Sequence, residues 1–146
     1  DAPSSILRLV DLGIESFLLT ATVEAIIAQR LVRKICEKCK EEFVPTEEQL
    51  MELSLLPRDV EGRTFFRGRG CGNCMKTGYR GRMAIFEILV IDDTLREMIM
   101  SQASTAVLRD EAKRRGMRTL RQSGLLGIYE GQTTIDEVVR ETIAEE

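Results

Sequence analysis

Cys36-Glu37-Lys38-Cys39 and Cys71-Gly72-Asn73-Cys74 are two C-x-x-C pairs separated by 31 residues, and they contain all four cysteines of the chain. A C-x-x-C turn lets two sulfurs face one ion. Two such turns complete a tetrahedral thiolate shell of the kind that holds structural zinc. That shell is closed to water, which suits stapling and not catalysis. The chain has no histidine, so a zinc ligand set here is all cysteine: Cys36, Cys39, Cys71 and Cys74. The competing reading is two disulfides or four free thiols.

Outside these pairs, composition sets the bounds. The 146 residues suffice for one ordinary domain, or for a domain carrying a small insertion. At 43% hydrophobic and 31% charged the chain can bury a core. Its net charge of −3 argues against a general binder of nucleic acid or anionic membranes. No apolar run approaches the roughly 20 residues of a membrane span, and no signal peptide opens the sequence. Cysteines spaced for metal point to a reducing cytosol. Asp1-Ala2-Pro3-Ser4 enters a helix at once without an initiator methionine, as a piece of a longer protein would.

Along the chain, Ser4 or Ser5 can cap a helix bearing Ile6, Leu7, Leu9 and Val10, with Gly13 to stop it. From Ser16 to about Ala28 the sequence is apolar almost all round, which predicts a buried helix. Gln29–Ile35 then reads as a strand running into the first cysteine pair. Between the pairs, Thr46 and Gln49 form a capping box for a helix with Leu50 and Leu53 on one side, ended by Pro57. This segment is too small for a core of its own, so a metal is a sensible staple. Met83–Ile91 is a near-continuous, β-branched apolar run and predicts a strand buried on both faces. A metal tying residue 36 to residue 74 would bring the two strands' ends together, making them antiparallel neighbours with the cysteine module at their tip. Further on, Asp92, Ser104 and Thr134 are caps for three helices, and Thr119–Tyr129 is another. Thr134-Ile-Asp-Glu137 reads as a capping box opening the last helix, which carries Ile135, Val138, Val139 and Ile143.

The catalytic signals are negative. No G-x-x-x-x-G-K-[ST] loop and no nucleophile–base constellation occurs within these residues. Glu41-Glu42 and Glu47-Glu48 read as solvated surface. From Gly62 to Phe86 there are six cations (Arg63, Arg67, Arg69, Lys76, Arg80, Arg82) and no acid. They could steady a doubly negative thiolate centre or form a partner-binding patch. Lys113, Arg114, Arg115, Arg118 and Arg121 surround a helix C-terminus, where the dipole favours cations. The alternative is that one of them meets phosphate across a subunit boundary. A zinc-ribbon nucleic-acid binder fits poorly, because residues 36–79 hold seven basic and eight acidic side chains. A dithiol redox enzyme fits poorly too, since neither pair opens an apolar helix. A metal-stapled module within a larger machine fits best. A stand-alone zinc-ribbon module without enzymatic activity is the runner-up.

Several motifs, in order, carry a family likeness. They are Asp1-Ala2-Pro3-Ser4, Arg8-Leu9-Val10-Asp11-Leu12-Gly13-Ile14-Glu15, Ala28-Gln29-Arg30-Leu31-Val32-Arg33 and the two cysteine pairs. Thr77-Gly78-Tyr79-Arg80-Gly81-Arg82, Gly116-Met117-Arg118-Thr119-Leu120 and Gly131-Gln132-Thr133-Thr134 complete the set. Across essentially its whole length the chain resembles the ATPases that drive type II secretion and type IV pilus extension. Retraction motors of the related pilus class lack the cysteine module. The resemblance implies a C-terminal fragment of a hexameric cytoplasmic motor, peripheral to the bacterial inner membrane, with Walker A, the acidic box and Walker B upstream. It implies an α/β, mostly helical fold: residues 1–35 and 80–146 as the last part of a RecA-like ATPase domain with a helical end, and residues 36–79 as the tetracysteine zinc insertion. It implies ATP and Mg2+ in the full-length protein, no turnover by this stretch alone, and docking on an inner-membrane platform protein.

Overall fold

The computed structural model describes residues 1–142, and Ile143 lies outside the described residues. Among the described residues the chain is mixed α/β, with seven α-helices and four strands. It divides into two compact units. The first comprises Asp1–Gln29 and Phe86–Thr119; the second comprises Arg30–Ile85 and the chain from Leu120 onward.

In the first unit, α1 (Ala2–Asp11) is capped by Asp1 rather than by Ser4 or Ser5. The Asp1 carboxylate accepts from Ser4 N–H at 3.0 Å, and the Ser4 hydroxyl donates back to the Asp1 carbonyl at 2.9 Å. Pro3 sits in the first turn, where its missing N–H costs nothing. Helix α2 (Ser16–Thr22) ends six residues earlier than its apolar composition predicts, and β1 (Ala25–Ile35) begins where helix was expected. Val23, Ile26 and Ile27 are β-branched, and that stiffness at χ1 favours an extended backbone from Val23 onward. The helix is also not buried all round, because Phe17 is 55% exposed and Leu18 49%.

Strand β4 (Tyr79–Val90) is the hydrogen-bonded neighbour of β1. Ile91 N–H donates to Glu24 C=O at one end, and Cys36 N–H to Gly78 C=O at the other, both at 2.9 Å. The start of one strand therefore lies beside the end of the other, which makes the pair antiparallel, as the tied-ends inference required. The expectation that β4 is buried on both faces fails. Ile85, Glu87 and Leu89 point inward while Phe86, Ile88 and Val90 are exposed, the one-sided alternation of an antiparallel strand. Leu89, with Ile91 just past the strand, joins Ala2, Ile6 and Leu19 of the N-terminal helices. Leu95 and Ile99 of α4 (Asp93–Met100) and Leu108 and Ala112 of α5 (Thr105–Arg114) complete this core. Asp92 and Ser104 cap those two helices as the sequence indicates.

In the second unit, β2 (Lys40–Phe43) pairs antiparallel with β3 (Phe65–Gly68), Lys40 opposite Gly68 and Phe43 opposite Phe65. Between them, α3 (Glu47–Glu52) carries the complete Thr46/Gln49 capping box. It stops at Leu53, with Ser54 at φ +61°, before Pro57 is reached. The segment is less bare than its length suggests. Leu50, Leu53 and Phe65 form one buried cluster with Ile128 of α6 (Leu120–Tyr129) and with Ile135 and Val138 of α7 (Ile135–Glu141). Phe65 stands edge-on between Phe43 and Tyr129, at centroid distances of 6.5 and 6.0 Å. The last two helices thus share their core with the segment between the cysteine pairs.

Candidate metal centre

The turn that follows β1 carries Cys36 and Cys39. The approach to β4 carries Cys71 and Cys74 on a single 3-10 turn, Gly72–Cys74. All four sulfurs lie within 4.8 Å of one another. Measured pairs are Cys36–Cys71 at 3.9 Å, Cys39–Cys74 at 3.8 Å and Cys71–Cys74 at 3.7 Å. A tetrahedral shell with Zn–S bonds of about 2.3 Å sets its sulfurs about 3.8 Å apart, whereas a disulfide needs about 2.05 Å. The cysteines are unpaired. Three of them are buried, with exposures of 0%, 5% and 5% for Cys36, Cys39 and Cys74.

Backbone geometry aims donors at these sulfurs. Gly70 N–H donates to Cys39 Sγ at 3.3 Å; Cys71 and Gly78 N–H donate to Cys74 Sγ at 3.3 and 3.2 Å. Met75 and Lys76 follow the second pair at φ +55° and +66°, completing the turn that brings Gly78 back over Cys74. Gly68 and Gly78 touch backbone to backbone: a Cβ on Gly68 would lie 2.0 Å from the Gly78 oxygen, so no side chain fits there. The Asn73 amide donates to Cys36 Sγ at 3.5 Å, and Arg80 Nη1 holds Asn73 through its Oδ1 (2.7 Å) and carbonyl (2.8 Å).

These donors act on the thiols. Burial opposes ionisation of Cys74, yet the two backbone N–H groups and the adjacent sulfurs bring it down to about 6. The Asn73 amide lowers Cys36 in spite of its burial. Burial instead dominates at Cys39 and pushes it up to about 11, so it holds a proton that a metal must displace. The donor set therefore fits a soft, thiolate-bound ion. Such an ion would supply bonds cross-linking the two turns and leave no open coordination position.

Three cations of the run have other partners. Arg67 pairs with Glu41 at 3.1 Å, Arg63 stacks over Tyr129, and Arg80 binds Asn73, whose amide in turn donates to Cys36 Sγ. In the second cluster Arg114 and Arg115 grip Glu111, and Arg115 also pairs with Asp92. Arg121 is buried against the Glu52 carbonyl and Thr142.

A second constellation, quoted above only as motif residues, surrounds Arg33. Glu137 takes Arg33 N–H at 2.7 Å and its guanidinium at 2.8 and 2.9 Å. The Arg33 guanidinium lies 4.1 Å from the Tyr79 ring centroid, and Tyr79 OH meets Thr134 Oγ1 at 2.7 Å. Thr133 donates to the Arg33 carbonyl at 2.8 Å, and Ile35 N–H to that of Gln132 at 2.9 Å. The Thr134 capping box is consequently half formed. Thr134 accepts from Glu137 N–H at 3.2 Å, but the Glu137 side chain turns to Arg33 instead of back to the cap. Gly78-Tyr79 and the Gly131–Thr134 segment thus lock the base of the cysteine module to α7.

The profile of the family described as Type II/IV secretion system protein matches residues 1–140, and the chain belongs to that family. It is 42% identical over 143 residues to a type IV pilus assembly ATPase PilB of Thermus thermophilus, covering 98% of this chain and 16% of the relative. To the protein of that name in Myxococcus xanthus it is 43% identical, covering 97% of this chain and 25% of the relative. To a type II secretion system protein E of Pseudomonas aeruginosa it is 40% identical, covering 97% of this chain and 28% of the relative. The chain therefore spans between a sixth and just over a quarter of these relatives' lengths.

Proposed function

We propose that this chain is part of a longer hexameric, RecA-like ATPase that powers type IV pilus assembly or type II secretion, with residues 36–79 as its zinc-stapled module. The observation that carries this reading is the identity of about two residues in five, sustained over nearly the whole chain, to a type IV pilus assembly ATPase and to a type II secretion system protein. ATP and Mg2+ would be bound by upstream parts of the full-length protein, since no phosphate-cradling loop occurs within these 146 residues. The motor would work at the cytoplasmic face of the inner membrane against a platform protein. Among the described residues no helix is long and apolar enough to cross a membrane.

Cys36, Cys39, Cys71 and Cys74 would hold one zinc whose role is to fix the module, leaving chemistry to the nucleotide site. Residues 1–35 and 80–146 would then be the parts of the ATPase domain that carry it. The test uses the full-length protein with and without Cys71→Ser. The parent is expected to contain one zinc per chain and to hydrolyse ATP, and the 146-residue chain alone to hydrolyse none. The variant should lose zinc and the secretion or piliation phenotype while still binding nucleotide. Full zinc content in Cys71→Ser, or turnover by the 146-residue chain abolished by a change within it, would overturn the assignment.

A further inference from the structure

A groove of about 700 Å3 opens in the second unit on the side of the module formed by β2, α3 and the 3-10 turn Pro57–Val60. Its floor is Leu50 and Phe65, both buried, and its walls are Phe43, Pro45 and Val60. Val44 at its edge is 91% exposed, an apolar side chain with almost nothing over it. The charge around this groove has one sign. Glu42 and Glu47 are lining residues and stand exposed. From Glu41 to Glu61 the chain carries seven acids and a single base, Arg58. Arg63, the one cation of the lining, is stacked on Tyr129 at 4.4 Å.

Local structure explains only part of this. Glu47 lies in the first turn of α3, where the helix dipole favours an acid, and Glu41 pairs with Arg67. Neither fact accounts for Glu42, nor for a fully exposed Val44 beside an aromatic-floored cleft. An apolar slot with an acidic rim is repelled by phosphate-bearing surfaces, which disfavours nucleic acid and anionic lipid alike. It suits an apolar side chain flanked by lysine or arginine, the apolar part giving affinity and the charges steering and orienting it.

We propose that this groove is a docking site for a short basic-apolar peptide segment of a partner protein, anchored by an apolar side chain over Leu50 and Phe65 and oriented by Glu42 and Glu47. This goes beyond the reading of residues 36–79 as a zinc-stapled module of a larger machine, and it rests on the groove's own shape and charge and not on zinc or on the identity of the machine.

The test is fluorescence anisotropy with labelled nonapeptides on the purified 146-residue chain. One peptide has a Leu-Phe centre flanked by lysines, a second the same centre flanked by glutamates, and a third the lysines with a Ser-Ser centre. Only the first should bind, and more weakly as salt rises. The double variant Glu42→Lys/Glu47→Lys and, separately, Val44→Asp should each lower its affinity about tenfold or more. Both changes fall on exposed side chains, and circular dichroism with zinc content confirms that each variant is folded. Equal binding of the glutamate peptide, affinity unchanged by both variants, no binding of any peptide, or preferential binding of the chain to phosphatidylglycerol vesicles would each overturn the proposal. None of these outcomes touches the zinc and ATPase measurements above, so the two readings fail separately.

Discussion

In Glu137→Gln one of the two oxygens that serve the Arg33 backbone N–H and its guanidinium becomes an NH2, which cannot accept and faces a donor instead, and the negative charge is lost. Glu137 is 2% exposed, while the Arg33 side chain keeps 40% exposure and can still reach water. Glu137→Gln should therefore cost about 1–3 kcal/mol of stability, less than a fully buried ion pair would. Burial alone would raise the Glu137 pKa, but the Arg33 hydrogen bonds and the charges of Arg33 and Arg140 hold it below the ordinary carboxylate value. A depressed folded-state pKa gives stability that is present above the unfolded value of about 4.3 and lost as pH falls through the folded one. Urea denaturation should thus find a constant gap between parent and variant above about pH 5 and a closing gap below about pH 4. A gap independent of pH would mean that the charge is not what matters. At Cys39 the sign is opposite. With Cys39 pushed up to about 11, zinc binding near neutrality should release at least its proton. Calorimetry in buffers of different ionisation enthalpy measures that release, and a value near zero would contradict the protonation of Cys39.

At the scale of elements, the pairing of α6 with α7 depends on Gly124. A Cβ there would stand 2.7 and 2.9 Å from the two methyls of Val138, a fully buried side chain. Gly124→Ala gains helix propensity but overpacks this contact, and it should cost about 1–3 kcal/mol in chemical denaturation. Adding Val138→Ala should recover part of that loss, so the double variant should be less destabilised than the sum of the two singles. Strict additivity would show that the two residues do not meet. Such contacts are invisible in sequence, where Gly124 is just another glycine. What the sequence does display is local chemistry: the Asp92, Ser104 and Thr46 caps each bind the backbone three residues on, so their helices are legible at their starts. Boundaries set by tertiary competition were not legible. Ser16–Ala28 has the composition of a buried helix, yet its β-branched second half follows β1. The strands Lys40–Phe43 and Phe65–Gly68 are short and half charged, and only their mutual pairing makes them strands.

On the scale of the whole molecule, the four-cysteine set was legible because its spacing is its chemistry, while the company it keeps was not. Sequence order suggests a metal-dependent module with little core, next to C-terminal helices that stand with the rest of the chain. Burial divides the chain differently. Leu50, Leu53 and Phe65 share one cluster with Ile128, Ile135 and Val138, whereas α4 and α5 pack with Leu19, Leu89 and the N-terminal helix. No short-range pattern announces this, since Leu50, Leu53 and Phe65 lie 63 or more residues from their partners in α6 and α7 and only the apolar spacing of each is visible locally. The division changes what metal loss should do. If zinc fixes the turns that position β2 and β3, Cys71→Ser should lower amide protection over residues 36–79. Protection should fall in α6 and α7 with it, because their buried faces rest on Leu50 and Phe65. The amides of α4 and α5, whose core contains no residue of the cysteine module, should keep theirs. Hydrogen exchange on Cys71→Ser, read at Leu120–Tyr129 against Thr105–Arg114, separates the possibilities. Retained protection in both helices would mean that the Arg33–Glu137 lock suffices without metal, and loss in both would mean that the two clusters unfold as one cooperative body.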